Sequence, residues 1–288
     1  MTDIRVYKSA SDFRRALEDR LKSRMAGSGF SFHRLCRTVA FNRFLARVFA
    51  AADSPWVLKG GYAMELRLRH ARATRDIDLA FRGAPKTGGE PLPGYLQRLL
   101  AEAGRIDLGD FFTFEVGGVQ MKLDGPVYGG ARYPVRAIVD KRLFVAFHVD
   151  AAAGDYVPEE VESAAEDGTL AFAGIKAAAF PMIPREFQFA EKLHAYTMPR
   201  SVPNSRVRDL VDMALLIKEG KLSADKTASV LKAVFGRRKT HALPEALEPA
   251  PERWEVRFAE LAEECGLKMT LAGAFGSVSG FYRGIASR

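Results

Sequence analysis

Cysteine is scarce in this chain. Cys36 and Cys265 are the two among 288 residues, and they lie far apart. That excludes a disulfide framework and suggests buried free thiols in a reducing compartment. Long apolar runs are also missing. No stretch reaches the roughly 18 apolar residues that a membrane span needs. The opening Met1-Thr2-Asp3-Ile4-Arg5 lacks the apolar core of a signal peptide, so a cytoplasmic location is expected. No repeat or low-complexity tract stands out.

The composition, 48% hydrophobic, is sufficient for a sizeable core in one large or two modest domains. The net charge is +8, and residues 1–50 carry eleven Lys and Arg against four Asp and Glu. Such a face can hold a polyanion such as RNA, or it can simply be a solvated helix surface.

The chain is organised around residues 56–81. Trp56-Val57-Leu58 is a short apolar strand, and Lys59-Gly60-Gly61 follows it. The glycines open a helical stretch from Tyr62 to Arg69. Glycine amides at a helix start approach an anion closely, and Lys59 adds a full positive charge at that corner. Next comes Asp76-Ile77-Asp78-Leu79-Ala80-Phe81, whose alternation predicts a strand. Asp76 and Asp78 then share one face, while Ile77 and Leu79 point the other way. Two carboxylates so close repel unless a cation sits between them, and an oxygen-only pair suits Mg²⁺ or Mn²⁺. Taken singly, Gly-Gly is often a tight turn and Asp-x-Asp a solvated strand end. The two in this order are more informative.

Gly-Gly, a short helix and then Asp-hydrophobic-Asp resembles the signature of the nucleotidyltransferase (polymerase-beta-like) superfamily. Residues 58–64 and 74–79 resemble the AbiEii/AbiGii toxin family, which includes MenT-type toxins that modify transfer RNA. The resemblance implies a third carboxylate on a later strand, best matched by Asp150 after Phe147-His148-Val149. His148 is left out of the site. A lysine motif and an aspartate motif follow in the family. Lys192 matches the first, and Asp209, with Asp212 nearby, matches the second. By the same resemblance Asp76, Asp78 and Asp150 would hold metal. Lys59, Gly60, Gly61, Arg75 and Lys192 would bind an NTP, and Asp209 would orient Lys192 or a substrate hydroxyl. Some relatives have Gly-Ser at Gly60-Gly61, and some have serine where this chain has Asp76.

Elsewhere the pattern predicts a helix capped by Ser11, with Phe13, Leu17, Leu21 and Met25 on its apolar face. A second, capped by Ser31, places Leu35, Val39, Leu45, Val48 and Phe49 inward and Arg34, Arg37, Arg43 and Arg47 outward. Another helix spans residues 95–103. Gly117-Gly118 and Asp140-Lys141-Arg142 each predict a hairpin. Residues 151–184 read as irregular. Helices are expected over 185–198 and 206–218, then from Leu222 to Arg288 around a proline-rich segment, Pro244 to Pro251.

The expected protein is α/β: a nucleotidyltransferase domain with a mixed sheet over residues 1–157, and a helical domain over 158–288, with the active site in the cleft between them. By resemblance it transfers NMP from an NTP, with Mg²⁺, to the 3′ end of a transfer RNA, as a toxin restrained by an antitoxin. The alternatives are transfer to a small-molecule or protein hydroxyl, and an inactive nucleic-acid-binding module.

Overall fold

The protein, seen in a computed structural model, is described over residues 6–68, 71–123, 125–219 and 221–286. The expected helix end at Arg69 and the termini Met1–Arg5 and Arg288 fall outside these residues. In chain order the elements are α1 (Ala10–Ser28), α2 (Phe32–Val48), β1 (Trp56–Lys59), α3 (Gly60–Arg67), β2 (Asp76–Phe81), α4 (Leu92–Gly104), β3 (Phe112–Val116), β4 (Met121–Leu123), β5 (Gly129–Val139) and β6 (Arg142–Ala153). Then follow β7 (Glu162–Ala165), β8 (Ala179–Met182), α5 (Arg185–Thr197), α6 (Val207–Glu219), α7 (Ala224–Arg238), α8 (Glu255–Glu264) and α9 (Leu271–Ala286). Among the described residues no helix is long and apolar enough to cross a membrane.

The chain forms two compact units that interleave along the sequence. One comprises Met1–Leu58, Ala73–Gly154 and Glu162–Met182; the other comprises Lys59–Arg72, Asp155–Val161 and Ile183–Arg288.

The first unit carries a mixed sheet in the order β3-β5-β6-β2-β1-β8-β7, with β4 also on β5. β2 runs parallel to β6, and β1 parallel to β8. Strands β7 and β8 correct the expectation that residues 151–184 are irregular; each is only four residues long, too short for a clear alternation. The Gly117-Gly118 hairpin is corrected too. β3 and β4 do not pair with each other; both lie antiparallel along β5, as one interrupted strand. Gly117 packs on Pro134, where an added Cβ would lie 2.8 Å from the ring. Glycine is therefore needed for close approach rather than for a turn. The β5–β6 hairpin is present, with Asp140 and Lys141 at φ 55° and 56°, the two positive angles of a tight two-residue turn.

Ser9, not Ser11, caps α1. Its hydroxyl accepts from Asp12 N and donates to the Asp12 carboxylate at 2.7 Å. Asp12, three residues on, completes a reciprocal cap, whereas Ser11 has Arg14 at that spacing. Phe13, Leu17 and Leu21 are buried as expected, but Met25 is exposed. Phe13 stacks on Phe111 and Phe172. α2 begins at Ser31 as expected and buries Leu35, Val39, Leu45 and Val48.

Arg43 and Arg47 depart from the expected polar face of α2: both are buried. Asp110, 0% exposed, takes Arg43 Nε at 2.7 Å and both Arg47 terminal nitrogens at 2.7–2.9 Å. Burial opposes ionisation of Asp110, but the two guanidiniums outweigh it and hold its carboxyl below the usual range. Part of the N-terminal positive charge is therefore consumed inside the fold.

In the second unit α5 packs on α6 and α7, and α6 packs on α8 and α9. α6 buries Leu210, Val211, Met213, Ala214, Leu215 and Leu216. Trp254, Phe258 and Leu261 face inward, as their spacing implies. Cys36 and Cys265 are buried thiols outside any disulfide, and burial pushes the Cys36 thiol up to about 12.

Asp110→Ala would strand the buried Arg47 guanidinium and leave Arg43 only Glu166 at 3.5 Å, with an expected loss of about 3–5 kcal/mol. Urea denaturation checks this; a loss under about 1 kcal/mol would show that the arginines find other partners.

Candidate active site

The parallel pairing of β2 with β6 places Asp76 beside His148 and Asp78 beside Asp150. Ile77 and Leu79, on the reverse face, are fully buried. The carboxylate face is thus fixed by burial behind it, since a one-residue slip would drive the acids into the core. All three carboxylates predicted on strands share this face.

β5 adds a residue that the sequence reading missed. Arg132 pairs in register with Asp150. Its Nε and Nη2 reach the two Asp150 oxygens at 2.7 and 2.8 Å, and Nη2 lies 3.4 Å from Asp76. The Asp150 hydrogen bonds raise the guanidinium's pKa against partial burial, and the charges of Asp150, Asp76 and Asp78 add to the effect. His148 Nδ1 is 3.4 Å from Asp76, so this histidine also belongs to the face. The approach of β5 to β6 is close here. A Cβ on Gly130 would fall 2.5 Å from the Ala151 carbonyl oxygen.

Among the described residues no group of three or more His, Cys, Asp or Glu is arranged as a metal cage. The adjacent Asp76 and Asp78 carboxylates nonetheless fit a hard divalent ion. Mg²⁺ commonly takes one or two protein carboxylates and keeps water and phosphate for its other positions.

The second unit holds the other predicted residues, Arg75 apart, in two clusters. Lys59, the N-cap of α3, lies 2.5 Å from Asp155 and 3.6 Å from Glu191. Arg238 reaches the same two acids at 3.1 and 3.5 Å. Burial works against the Lys59 charge, but Glu191 and Asp155 overcome it and raise its pKa. Gly60, with φ 67°, adopts a left-handed conformation that suits glycine, and its carbonyl accepts from Gln188 at 2.6 Å. Gly61 is buried beside it in α3.

The other cluster joins Lys192 to Asp212 at 2.6 Å and to Asp209 at 3.3 Å. Arg72 makes a two-pronged contact with Asp212 at 2.9 and 3.1 Å. Burial again opposes the Lys192 charge, and Asp212 and then Asp209 outweigh it. The Lys192–Asp209 pairing is therefore present, with Asp212 as the shorter contact. Arg75 is exposed and enters neither cluster. Asp155, Glu191, Arg238 and Arg72 were not anticipated. Their one visible signal was position: Asp155 directly follows Gly154, and Glu191 precedes Lys192.

One helical turn beyond Glu191, His194 is 1% exposed and contacts Thr240 Oγ1 at 2.8 Å. Burial pushes its pKa down to about 4, and the charges of Arg238 and His241 add to that.

A family model described as nucleotidyl transferase AbiEii toxin, type IV toxin–antitoxin system, matches residues 43–271. No curated protein matches the chain. Among solved structures it is similar to MenT4, a nucleotidyltransferase toxin from Mycobacterium tuberculosis, at 15% identity and TM-score 0.58, over 94% of this chain and 98% of that one. It is also similar to JHP933 from Helicobacter pylori, at 16% identity and TM-score 0.50, over 90% and 94%. At these identities the two likenesses speak to the fold.

His194 supplies a pH prediction. Its folded pKa, about 4, lies below the ordinary 6.5, so the unfolded chain binds the proton more readily. Its stabilisation is full above pH 6.5 and is lost as the pH falls toward 4. Denaturation midpoints measured across that window should decline less steeply in His194→Gln than in the native protein. Equal slopes would count against it.

Proposed function

The chain belongs to the AbiEii nucleotidyltransferase toxin family, and we propose that it transfers NMP from an NTP to an RNA acceptor, the 3′ end of a transfer RNA, as the toxin of a system with a cognate antitoxin. The observation that carries this reading is the carboxylate face: Asp76 and Asp78 together on β2, backed by buried Ile77 and Leu79, with Asp150 alongside on β6. A solvated strand end needs no third acid in register and no arginine clamped across the set.

In this reading Asp76 and Asp78 hold Mg²⁺ or Mn²⁺, and Asp150 is the third carboxylate, positioned by Arg132. The ion supplies charge neutralisation on the triphosphate when bound. The amides of Gly60 and Gly61 bind phosphate oxygens, with cations from Lys59, Arg75 and Lys192. Asp209 orients Lys192. The acceptor hydroxyl oxygen bonds to the α-phosphorus as the bond from that phosphorus to the bridging oxygen breaks. Pyrophosphate leaves, and a carboxylate of the β2–β6 face takes the hydroxyl proton. The positive net charge favours an RNA acceptor over a neutral small molecule.

The test mixes native protein with Mg²⁺, each labelled NTP in turn, and total transfer RNA. Label on RNA that falls to background in Asp76→Ala/Asp78→Ala is expected, and it names the nucleotide. Label on protein or on small molecules instead would overturn the RNA acceptor. Arg132 gives a test that does not use turnover. Arg132→Leu leaves three carboxylates facing one another, so in metal-free buffer Tm should fall by several degrees. Added Mn²⁺ should then raise the Tm of this variant more than that of the native protein. No difference in the Mn²⁺ response would mean that Asp150 does not join the metal-binding face.

A further inference from the structure

The cations of the two clusters described above are matched to acids. Lys59 and Arg238 meet Asp155 and Glu191, while Lys192 and Arg72 meet Asp212. Arg200 stands apart. It lies just beyond the end of α5, in the wall of a cavity of about 410 Å³ whose lining includes Tyr196, Asn204, Pro244 and Glu248. Its Nη2 donates to the Ala195 carbonyl at 2.9 Å, a helix-end contact. That satisfies one of five donors, and its Nε is buried with no acceptor. Among the described residues Arg200 makes no ion pair, although Glu248 lines the same cavity. A half-buried guanidinium with no carboxylate is unfavourable unless an anion completes it.

The surroundings are preorganised. Asn204 Nδ2 donates to the Tyr196 carbonyl, and its Oδ1 accepts from Arg206 N, both at 3.0 Å. The Asn204 carbonyl accepts from Trp254 Nε1, also at 3.0 Å. This wall is therefore held in place. Arg206, which is outside this lining, also has its Nε buried without an acceptor, and its Nη1 lies 3.6 Å from Asp209. Burial, and to a lesser degree the Arg206 charge, push the Arg200 pKa below its ordinary value, and the Asp209 charge partly opposes them. The charge sequence Arg206–Asp209–Lys192 connects this region to the lysine assigned above to the NTP.

We infer that this cavity is a phosphate-binding subsite that takes one nucleotide unit of the RNA acceptor, with Arg200 as its cation. The inference rests on the transferase reading for the identity of that RNA. The volume falls in the range of small-ligand sites, roughly 300–1,000 Å³. Tyr196 and the prolines offer apolar surface for a base, and the exposed Glu248 offers an acceptor for a ribose hydroxyl or a base amino group. The Arg200 guanidinium is a charge-assisted match for a phosphate.

The test uses the full chain, with calorimetry for 5′-AMP and fluorescence anisotropy for a short single-stranded RNA. Arg200→Met should weaken binding by about tenfold, and the slope of log affinity against log salt should fall in magnitude by about one. Arg200→Lys should recover part of both. Ala246→Phe is placed at an exposed position of the lining, so it fills the cavity without disturbing Arg200 or the core. It should weaken the same ligands, and thermal melting of each variant checks folding. Loss in the RNA arm supports an acceptor subsite. Loss confined to 5′-AMP supports the site with a free nucleotide as its ligand. Unchanged affinity in both arms for both variants, or no binding by the native protein, overturns it. Label transfer is read separately: Arg200-dependent RNA binding without any transfer would sink the transferase reading and leave the subsite standing.

Discussion

Like charges held on one strand face must be balanced, and Arg132 does this. Asp76 and Asp78 cannot turn away from each other, because Ile77 and Leu79 anchor the opposite face in the core. Asp150 joins them through the parallel register of β6. Without a cation, this arrangement of three carboxylates would oppose the pairing of the strands that hold it. A guanidinium can be bidentate to one carboxylate and still reach a second, which a lysine ammonium does less well. Arg132 has that geometry, at 2.7 and 2.8 Å to Asp150 and 3.4 Å to Asp76.

The position of Arg132 depends on one extra residue. Counted without interruption from the Asp140-Lys141 turn, Arg132 would face Val149, and Asp150 would face Ala131. The register shifts between Ala137 and Ile138, where Phe144 is left unpaired on β6. Beyond that point Arg132 meets Asp150. The Phe144 ring packs edge-on against Phe112 at 5.5 Å, which gives the bulge an anchor. Bulges of this kind re-aim side chains near functional sites.

That bulge also marks the limit of what the sequence reveals. The Asp76/Asp78 face and its burial pattern could be read from strict alternation, and the α1 and α2 cores from helical spacing. Asp150 came from family resemblance, and the structure puts it beside Asp78. Arg132 could not be placed, because alternation counted from a turn fails across an unmarked extra residue, and one residue reverses the face. Gly117-Gly118 misled for a related reason: a glycine pair specifies permissiveness, and here Gly117 serves close packing on Pro134 rather than chain reversal. Arg43 and Arg47 looked like a solvent face because their partner, Asp110, lies more than sixty residues away. Local patterns carry no information about such distant pairing.

The same distant pairing changes how the basic composition should be read. Arg43, Arg47, Lys59, Arg72, Arg132, Lys192 and Arg238 are all tied to carboxylates within their own unit. The positive surplus of the chain is therefore carried mainly by other residues, and these paired cations contribute little to long-range attraction of a polyanion. They are suited instead to short-range work. Lys59 and Lys192 each sit between two acids, so in the proposed reading neither carries an uncompensated charge before a triphosphate would bind. A phosphate oxygen approaching either lysine has to share the ammonium with a carboxylate already in contact. That sharing costs least where the carboxylate has another cation to lean on. Arg238 does this for Asp155 and Arg72 for Asp212. Each lysine is thus backed by an arginine that keeps the acid neutralised while the lysine's hydrogen bonds are redirected. The pairing of every such acid with both a lysine and an arginine is the feature of the second unit that makes a binding role for Lys59 and Lys192 compatible with their burial.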